Sequence, residues 1–263
     1  MPDPAPAGPA ATLLELDAIS KSFGRVVVAD SLSLTVGAGD LVGIVGPNGA
    51  GKSSLFGLIA GDLAPSAGEI RFAGATVTRK DAAARCRAGI GRTFQVPKPF
   101  GAMTVFENVL VAVQQGAGLR RRASYAAAAR VLERTGLGAD ANIPAERLGL
   151  LSRKRLEVAR ALATGPKLLL LDEVAGGLTD PEVAQLAGIV RAISADGVAI
   201  IWIEHVVHAL TATVGRLLCL AGGLIIGDGE PAAVLALPAV REVFLGTEVT
   251  AQLRVPDAGE EPA

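Results

Sequence analysis

The sequence predicts an α/β fold with a mainly parallel sheet, interrupted by a helical insertion. Three observations carry this. KLLLLDE (167–173) and VAIIWIE (198–204) are short apolar runs between turn residues, the pattern of strands covered on both faces. The helical PEVAQLAGIVRAISADG (181–197) separates them, so strand, helix and strand alternate as in a βαβ unit. Residues 99–165 differ in character, with VFENVLVAVQQ (105–115) and SYAAAARVLERTG (124–136) rich in helix formers at helical spacing.

In chain order, MPDPAPAGPA has no basic segment ahead of an apolar stretch, so it reads as a flexible tail (1–12) and not as a signal peptide. LLELDAI (13–19), RVVVA (25–29) and LSLTV (32–36) read as strands punctuated by Gly24 and by Gly37-Ala38-Gly39. DLVGIVG (40–46) is a buried-type strand leading into a glycine-rich loop and helix, PNGAGKSSLFGLIAG (47–61). GEIRFAG (68–74) is a further strand. After the helices comes LGLLSRKRLEVARAL (148–162), a helix with Arg153, Lys154 and Arg155 on a basic face. VPDAGEEPA closes the chain as a second tail (250–263). The expected division is a first core part (13–98), a helical subdomain (99–165) and a second core part with C-terminal helices (166–249).

Half of the 263 residues are hydrophobic, enough for a sizeable core filled by Ala, Val, Leu and Gly, since aromatics make up only 3%. The net charge of −1 gives no global field that attracts nucleic acid. The two cysteines, Cys86 and Cys219, form no metal-type spacing, which disfavours a zinc site or disulfide framework and suits a reducing compartment. No run reaches the ~18 apolar residues of a membrane span. VAIIWI (198–203) and LLCLAGGLII (217–226) come nearest.

GPNGAGKS (Gly46, Pro47, Asn48, Gly49, Ala50, Gly51, Lys52, Ser53) fits G-x-x-x-x-G-K-[ST] at every position, with a strand before it and a helix after it. Such a loop turns backbone N–H groups inward around phosphate oxygens, and the helix N-terminus adds positive potential. Lys52 faces the β- and γ-phosphates, Ser53 offers an oxygen to Mg²⁺, and Ser54 follows in the cradle. KLLLLDE then ends a buried strand with two acids. Asp172 suits Mg²⁺ through its water shell, and Glu173 suits the polarising of an attacking water. His205 and His208 are the only histidines; their i, i+3 spacing permits a metal pair, but no third ligand is evident.

Together these stretches resemble the ATP-binding-cassette ATPases, the motor subunits of ABC transporters, from about Leu13 to Gly246. The resemblance implies a P-loop core with a mainly parallel sheet, an antiparallel β subdomain and a helical insertion. It implies ATP and Mg²⁺ as ligands. In KSFG it places Phe23 as the aromatic that stacks on adenine. In GRTFQ it places Gln95 as the glutamine that joins core to insertion, with a role in catalysis and at the metal. It makes Glu173 and His205 catalytic, His205 being the switch histidine. GGLT (176–179) falls where the dimer-contacting loop runs. GIGRTFQVPKPFGAMTVFENVLVA, RLEVARALATGPKLLLLDE and GDGEPAAVLALPAVREVFLG resemble the ATPases of branched-chain amino-acid importers and their urea and amide relatives, and the RTFQ form the larger of two paralogues.

One stretch departs from the family. Where relatives carry LSGGQ or LSYGQ, an ungapped alignment gives Leu148-Gly149-Leu150-Leu151-Ser152. The signature serine becomes Gly149, its closing glycine Leu151 and its glutamine Ser152. The hydroxyl that grips the γ-phosphate across a dimer is missing, and Ser152 is expected to cap the helix instead. Two readings follow: a weakened trans half of one ATP site, or a loop whose backbone N–H groups still suffice. LRRRAS (119–124) reads as a solvated loop or as a contact for lipid headgroups or acidic partners. PKPF (97–100) reads as a stiff apolar lip for a transporter's coupling helix or as an ordinary loop anchor.

The functional expectation is an ATP-hydrolysing subunit that drives an importer for branched-chain amino acids or a related small polar solute. The partners implied are a second ATPase subunit (a copy or a paralogue), polytopic permease subunits and, indirectly, a solute-binding protein. The location implied is the cytoplasmic face of the cell membrane. A soluble non-transport ABC ATPase and a weakly hydrolysing regulatory cassette are the alternatives.

Overall fold

The computed structural model describes residues 12–94, 98–205 and 207–244. A long hairpin opens it, β1 (Thr12–Phe23) against β2 (Val26–Gly37), followed by β3 (Leu41–Val45) and helix α1 (Lys52–Ala60). Then come β4 (Ala67–Phe72), β5 (Ala75–Thr76), α2 (Ala82–Ala88) and β6 (Ile90–Arg92). The helical stretch holds α3 (Val105–Gln115), α4 (Arg121–Arg134) and α5 (Leu150–Ala163). The remainder is β7 (Leu168–Asp172), α6 (Asp180–Ala195), β8 (Ala199–Ile203), α7 (Val207–Thr211), β9 (Arg216–Ala221), β10 (Leu224–Gly229) and α8 (Pro231–Ala236).

Two sheets form. Strands β2-β1-β4-β5 make an antiparallel sheet. The order β10-β9-β3-β8-β7-β6 is parallel except for the β10–β9 hairpin at one edge. The leucine run of β7 follows from its central place, because every second side chain points to the opposite face. Leu168 and Leu170 join one core cluster with α1 and the antiparallel sheet. Leu169 and Leu171 join a second with α3, α5 and α6. All four are fully buried, and each such side chain contributes about 1.5–3 kcal/mol relative to exposure.

Several local expectations are revised. RVVVA and LSLTV form one continuous strand, with Ser31 at φ 45° marking an irregularity where two strands had been expected. LRRRAS is not a loop throughout: α4 starts at Arg121, and Ser124 is buried with its hydroxyl donating to Arg121 O at 2.7 Å. The basic face of α5 is partly turned inward. Lys154 is only 6% exposed, and Arg153 donates back to Leu148 O at 2.8 Å. Propensity does not distinguish a basic residue that snorkels from one held inside by a carbonyl.

Helix α3 has the expected bounds, and its start is a capping box: Glu107 N donates to Thr104 Oγ1 while Glu107 Oε2 accepts from Thr104 N. No helix among the described residues is long and apolar enough to cross a membrane.

Candidate nucleotide site

The loop from β3 to α1 wraps an open pocket. Asn48, Gly49, Ala50, Gly51, Lys52, Ser53 and Ser54 line it on one side, Glu173 and His205 on the other, with Val26 and Val28 at its edge. Two glycines make this loop possible. Gly51 has φ 98°, and a Cβ there would lie 2.3 Å from Val28 O. Gly46 runs so close to β9 that a Cβ would meet Leu220 O at 2.1 Å. Any side chain at either position displaces backbone. The first turn of α1 therefore presents its N–H groups to the pocket.

Lys52 lies 6% exposed under the loop, its Nζ donating to Gly46 O at 2.7 Å and Pro47 O at 2.9 Å. Burial lowers its pKa, against the opposing pull of the Glu173 and Asp172 charges. A lysine so placed exchanges carbonyl partners for phosphate oxygens when a polyphosphate enters.

Asp172 ends β7 at 3% exposure. Its N–H donates to Thr93 Oγ1 at 3.0 Å, and its Oδ2 accepts from Arg92 at 3.2 Å. Its Oδ1 is buried with no hydrogen-bond partner among the described residues. Burial raises the Asp172 pKa, and Arg92 offsets part of that. An orphaned carboxylate oxygen is costly unless something polar meets it. Together with the Ser53 hydroxyl it makes a set of hard oxygen donors, and that set fits Mg²⁺.

Glu173 follows with φ 49°, the left-handed region that side chains rarely adopt. Its N–H donates to Ile203 O at 2.9 Å, and its Oε1 lies 2.7 Å from His205 Nε2. The carboxylate is thus brought over the pocket by a bent backbone. His208 stands 3.6 Å from Asp180 and does not join His205; among the described residues no group of three His, Cys, Asp or Glu can hold a metal.

Phe23 is 49% exposed beside the β1–β2 turn, with Lys21 Nζ 5.2 Å from its ring centroid. It stands outside the pocket lining, which at that end is Val26 and Val28. Gln95 and Pro97 lie outside the described residues.

Gly149, φ −65° and ψ 170°, is the N-cap of α5, with no side-chain cap. Ser152 is therefore not the cap expected of it. It sits inside the first turn, where its hydroxyl donates to Asp140 Oδ2 at 3.2 Å. Leu150 is 45% exposed, and Leu151 is half-buried.

Sequence reading missed Arg92 and Glu204. The arginine holds Asp172 and, at 2.6 Å, Asp62. Glu204 is 2% exposed and accepts from Ala175 N at 2.6 Å and Trp202 Nε1 at 3.0 Å. A carboxylate ending the apolar run VAIIWIE was the one available signal for it.

The family model for the ABC transporter matches residues 29–176. The high-affinity branched-chain amino acid transport ATP-binding protein BraF of Pseudomonas aeruginosa is 31% identical, over 89% of this chain and 98% of its own. The lipopolysaccharide export system ATP-binding protein LptB of Acidithiobacillus ferridurans is 31% identical, over 90% and 98%. The ribose import ATP-binding protein RbsA 2 of Streptomyces avermitilis is 34% identical over 88% of this chain, which spans only 46% of that protein. Among solved structures, the ADP conformation of MJ1267, an ATP-binding cassette of an ABC transporter, matches with a TM-score of 0.83 at 30% identity. It covers 90% of this chain and 100% of that one. With the family match spanning more than half of its length and falling on the loop, the strand and the carboxylates just described, the chain belongs to the ABC transporter ATP-binding family.

Proposed function

We propose that this ABC ATPase binds Mg²⁺-ATP on the Gly46–Ser54 loop and hydrolyses it with Glu173 as the base for the attacking water. The single observation that carries the reading is the Glu173–His205 contact at the open side of the phosphate loop, 2.7 Å long. The loop's N–H groups and Lys52 bind the phosphates and orient the γ-phosphoryl group. The Glu173 carboxylate accepts a proton from water, and His205 holds that carboxylate in place through Oε1. Ser53 and Asp172 would hold Mg²⁺, which neutralises charge on the β- and γ-phosphates when bound. Gln95 and Phe23 are assigned the γ-phosphate-sensing and adenine-stacking roles of their family counterparts.

We read the partners as a second cassette that closes head to tail over ATP, and membrane permease subunits at the helical subdomain, residues 99–165, against the core of residues 13–98 and 166–249. Supporting this, a groove runs along α2, α3 and α5 beside exposed Phe94 and Phe100. An apolar lip beside a groove is the surface a short amphipathic helix takes. The cargo reading is a branched-chain amino acid or related small polar solute imported with a solute-binding protein, which puts the chain on the cytoplasmic face. It rests on relatives such as BraF that align along nearly their whole length. Co-expression with the permease subunits of a branched-chain amino acid importer, followed by uptake of labelled leucine into proteoliposomes in the presence of its solute-binding protein, tests the reading. ATP-dependent uptake supports it. A stable complex that moves another solute removes the cargo assignment, and a chain that captures no permease favours a non-transport ATPase.

A second reading, a weakly hydrolysing regulatory cassette, draws on one observation: the hydroxyl-free start of α5 at Gly149.

A further inference from the structure

Helix α5 carries a buried polar stripe that no part of nucleotide binding uses. Lys154 is 6% exposed, and its Nζ donates to Glu173 O at 3.2 Å. One turn along, Glu157 is 4% exposed and accepts from Lys98 N at 3.1 Å and from Arg160 at 2.7 Å. Arg160 in turn donates to Lys98 O at 2.9 Å. These residues stand at i, i+3 and i+6, so they share one side of the helix, about 9 Å end to end. One end of the stripe holds the backbone of Glu173. The other clamps the backbone of Lys98.

The turn at Glu173 needs such support. Its left-handed φ of 49° persists only where the surroundings over-determine it. Gly176 N also donates to Glu173 O, at 3.3 Å, and the buried Glu204 holds Ala175 N at 2.6 Å. A buried ammonium and a buried carboxylate thus grip the two sides of one short turn. Burial lowers the Lys154 pKa while the charges of Glu204, Glu173 and Glu157 raise it. A cation kept inside at that cost has a partner that matters.

We propose that Lys154 is a positioning residue for hydrolysis, tying α5, and with it the backbone of Lys98, to the backbone that aims the Glu173 carboxylate. The proposal rests on the reading of Glu173 as the base. Movement of the segment at Lys98 then reaches Glu173 through a rigid helix, without contact between Lys154 and nucleotide.

The test compares the wild type, Lys154→Met, Lys154→Gln, Lys154→Arg and Glu173→Gln as full-length chains. The readouts are ATP affinity by calorimetry, kcat, KM and thermal unfolding. Lys154→Met is expected to keep ATP affinity within about twofold and lose about tenfold in kcat, since misaiming a reacting group acts on the transition state alone. Lys154→Arg restores most of that loss by supplying a donor of the same charge. Where Lys154→Met does not fold, Lys154→Gln carries the same expectation. A folded Met or Gln variant with wild-type kcat overturns the proposal, as does a parallel loss of affinity and kcat that Arg does not rescue. If Glu173→Gln turns over normally, it is the assignment of the base that fails; if Glu173→Gln is inactive and Lys154→Met is not impaired, only the role of Lys154 fails.

Discussion

His205 Nε2 lies 2.7 Å from Glu173 Oε1, although the two residues come from different strand ends. The pairing of β7 with β8 sets this: Asp172 is in register with Ile203, so the residues that follow each emerge side by side. The Glu173 carboxylate is thereby oriented by an imidazole.

Glu173→Gln is expected to bind ATP normally and to turn over about 10²–10⁴-fold more slowly. The amide keeps the shape and an acceptor oxygen but cannot take the proton of the attacking water, and general-base catalysis is worth about that factor. Calorimetry together with steady-state phosphate release checks both halves. Turnover within a few-fold of wild type would assign Glu173 another task.

His205→Ala is expected to lower kcat more than ATP affinity. The imidazole pairs with Glu173, while the Lys52 contacts to the loop do not involve it, so its loss misdirects the base and leaves those contacts intact. A large rise in the ATP dissociation constant with kcat preserved at saturation would contradict this.

Lys52→Ala should weaken ATP binding about 10- to 100-fold, the loss of one charge-assisted hydrogen bond at about 1.5–3 kcal/mol. The carbonyls of Gly46 and Pro47 that Lys52 satisfies lose their donor as well. Affinity equal to wild type by calorimetry would remove the phosphate-binding assignment.

Much of this site is legible in the sequence because its parts are local. The phosphate loop is a contiguous string whose glycines are required by backbone approach, and Asp172 and Glu173 advertise themselves by ending a leucine run. What escapes is the pairing between distant stretches. Arg92 reaches Asp172 across 80 residues, and nothing around GRTF marks it as a partner. Lys154 sits between two arginines, so composition points it at solvent, while the fold turns it under Glu173. Ser152 looks like a helix cap because serine favours that position, yet the helix starts three residues earlier at Gly149.

Glu204 is expected to give the stability of the chain a distinct pH dependence. Burial raises its pKa above the ordinary carboxylate range, against the hydrogen bonds from Ala175 and Trp202, with the Glu173 charge adding to the rise and Lys154 opposing it. A carboxyl with a raised folded pKa contributes stability below its unfolded pKa and loses it as pH rises through the folded value. Glu204→Gln keeps the acceptor oxygen and removes the charge. The melting temperature of the variant relative to wild type is therefore expected to climb from the ordinary carboxylate range upward and then level off. A difference that is flat with pH would mean that Glu204 is ionised as readily folded as unfolded.

The start of α5 offers the last prediction. The family resemblance sets the signature serine against Gly149, and on the proposed head-to-tail pairing each ATP site would be completed by the partner's loop. A pair made of two copies of this chain would therefore set both phosphate loops against a start of α5 that lacks the hydroxyl. A paralogue with an intact loop restores one complete site. The structure makes a direct test possible, because a Cβ at Gly149 meets nothing within 4 Å and its φ of −65° suits any side chain. Gly149→Ser should fold without strain and gain only a few tenths of a kcal/mol as an N-cap. If the missing hydroxyl limits the site, the variant alone raises the ATPase rate of the isolated chain about 10-fold, the worth of one charge-assisted hydrogen bond. Mixing wild type with its paralogue raises it as well. Cooperative hydrolysis by the wild-type chain alone, unchanged by Gly149→Ser, would show instead that backbone N–H groups at the start of α5 suffice and that the two sites are equal.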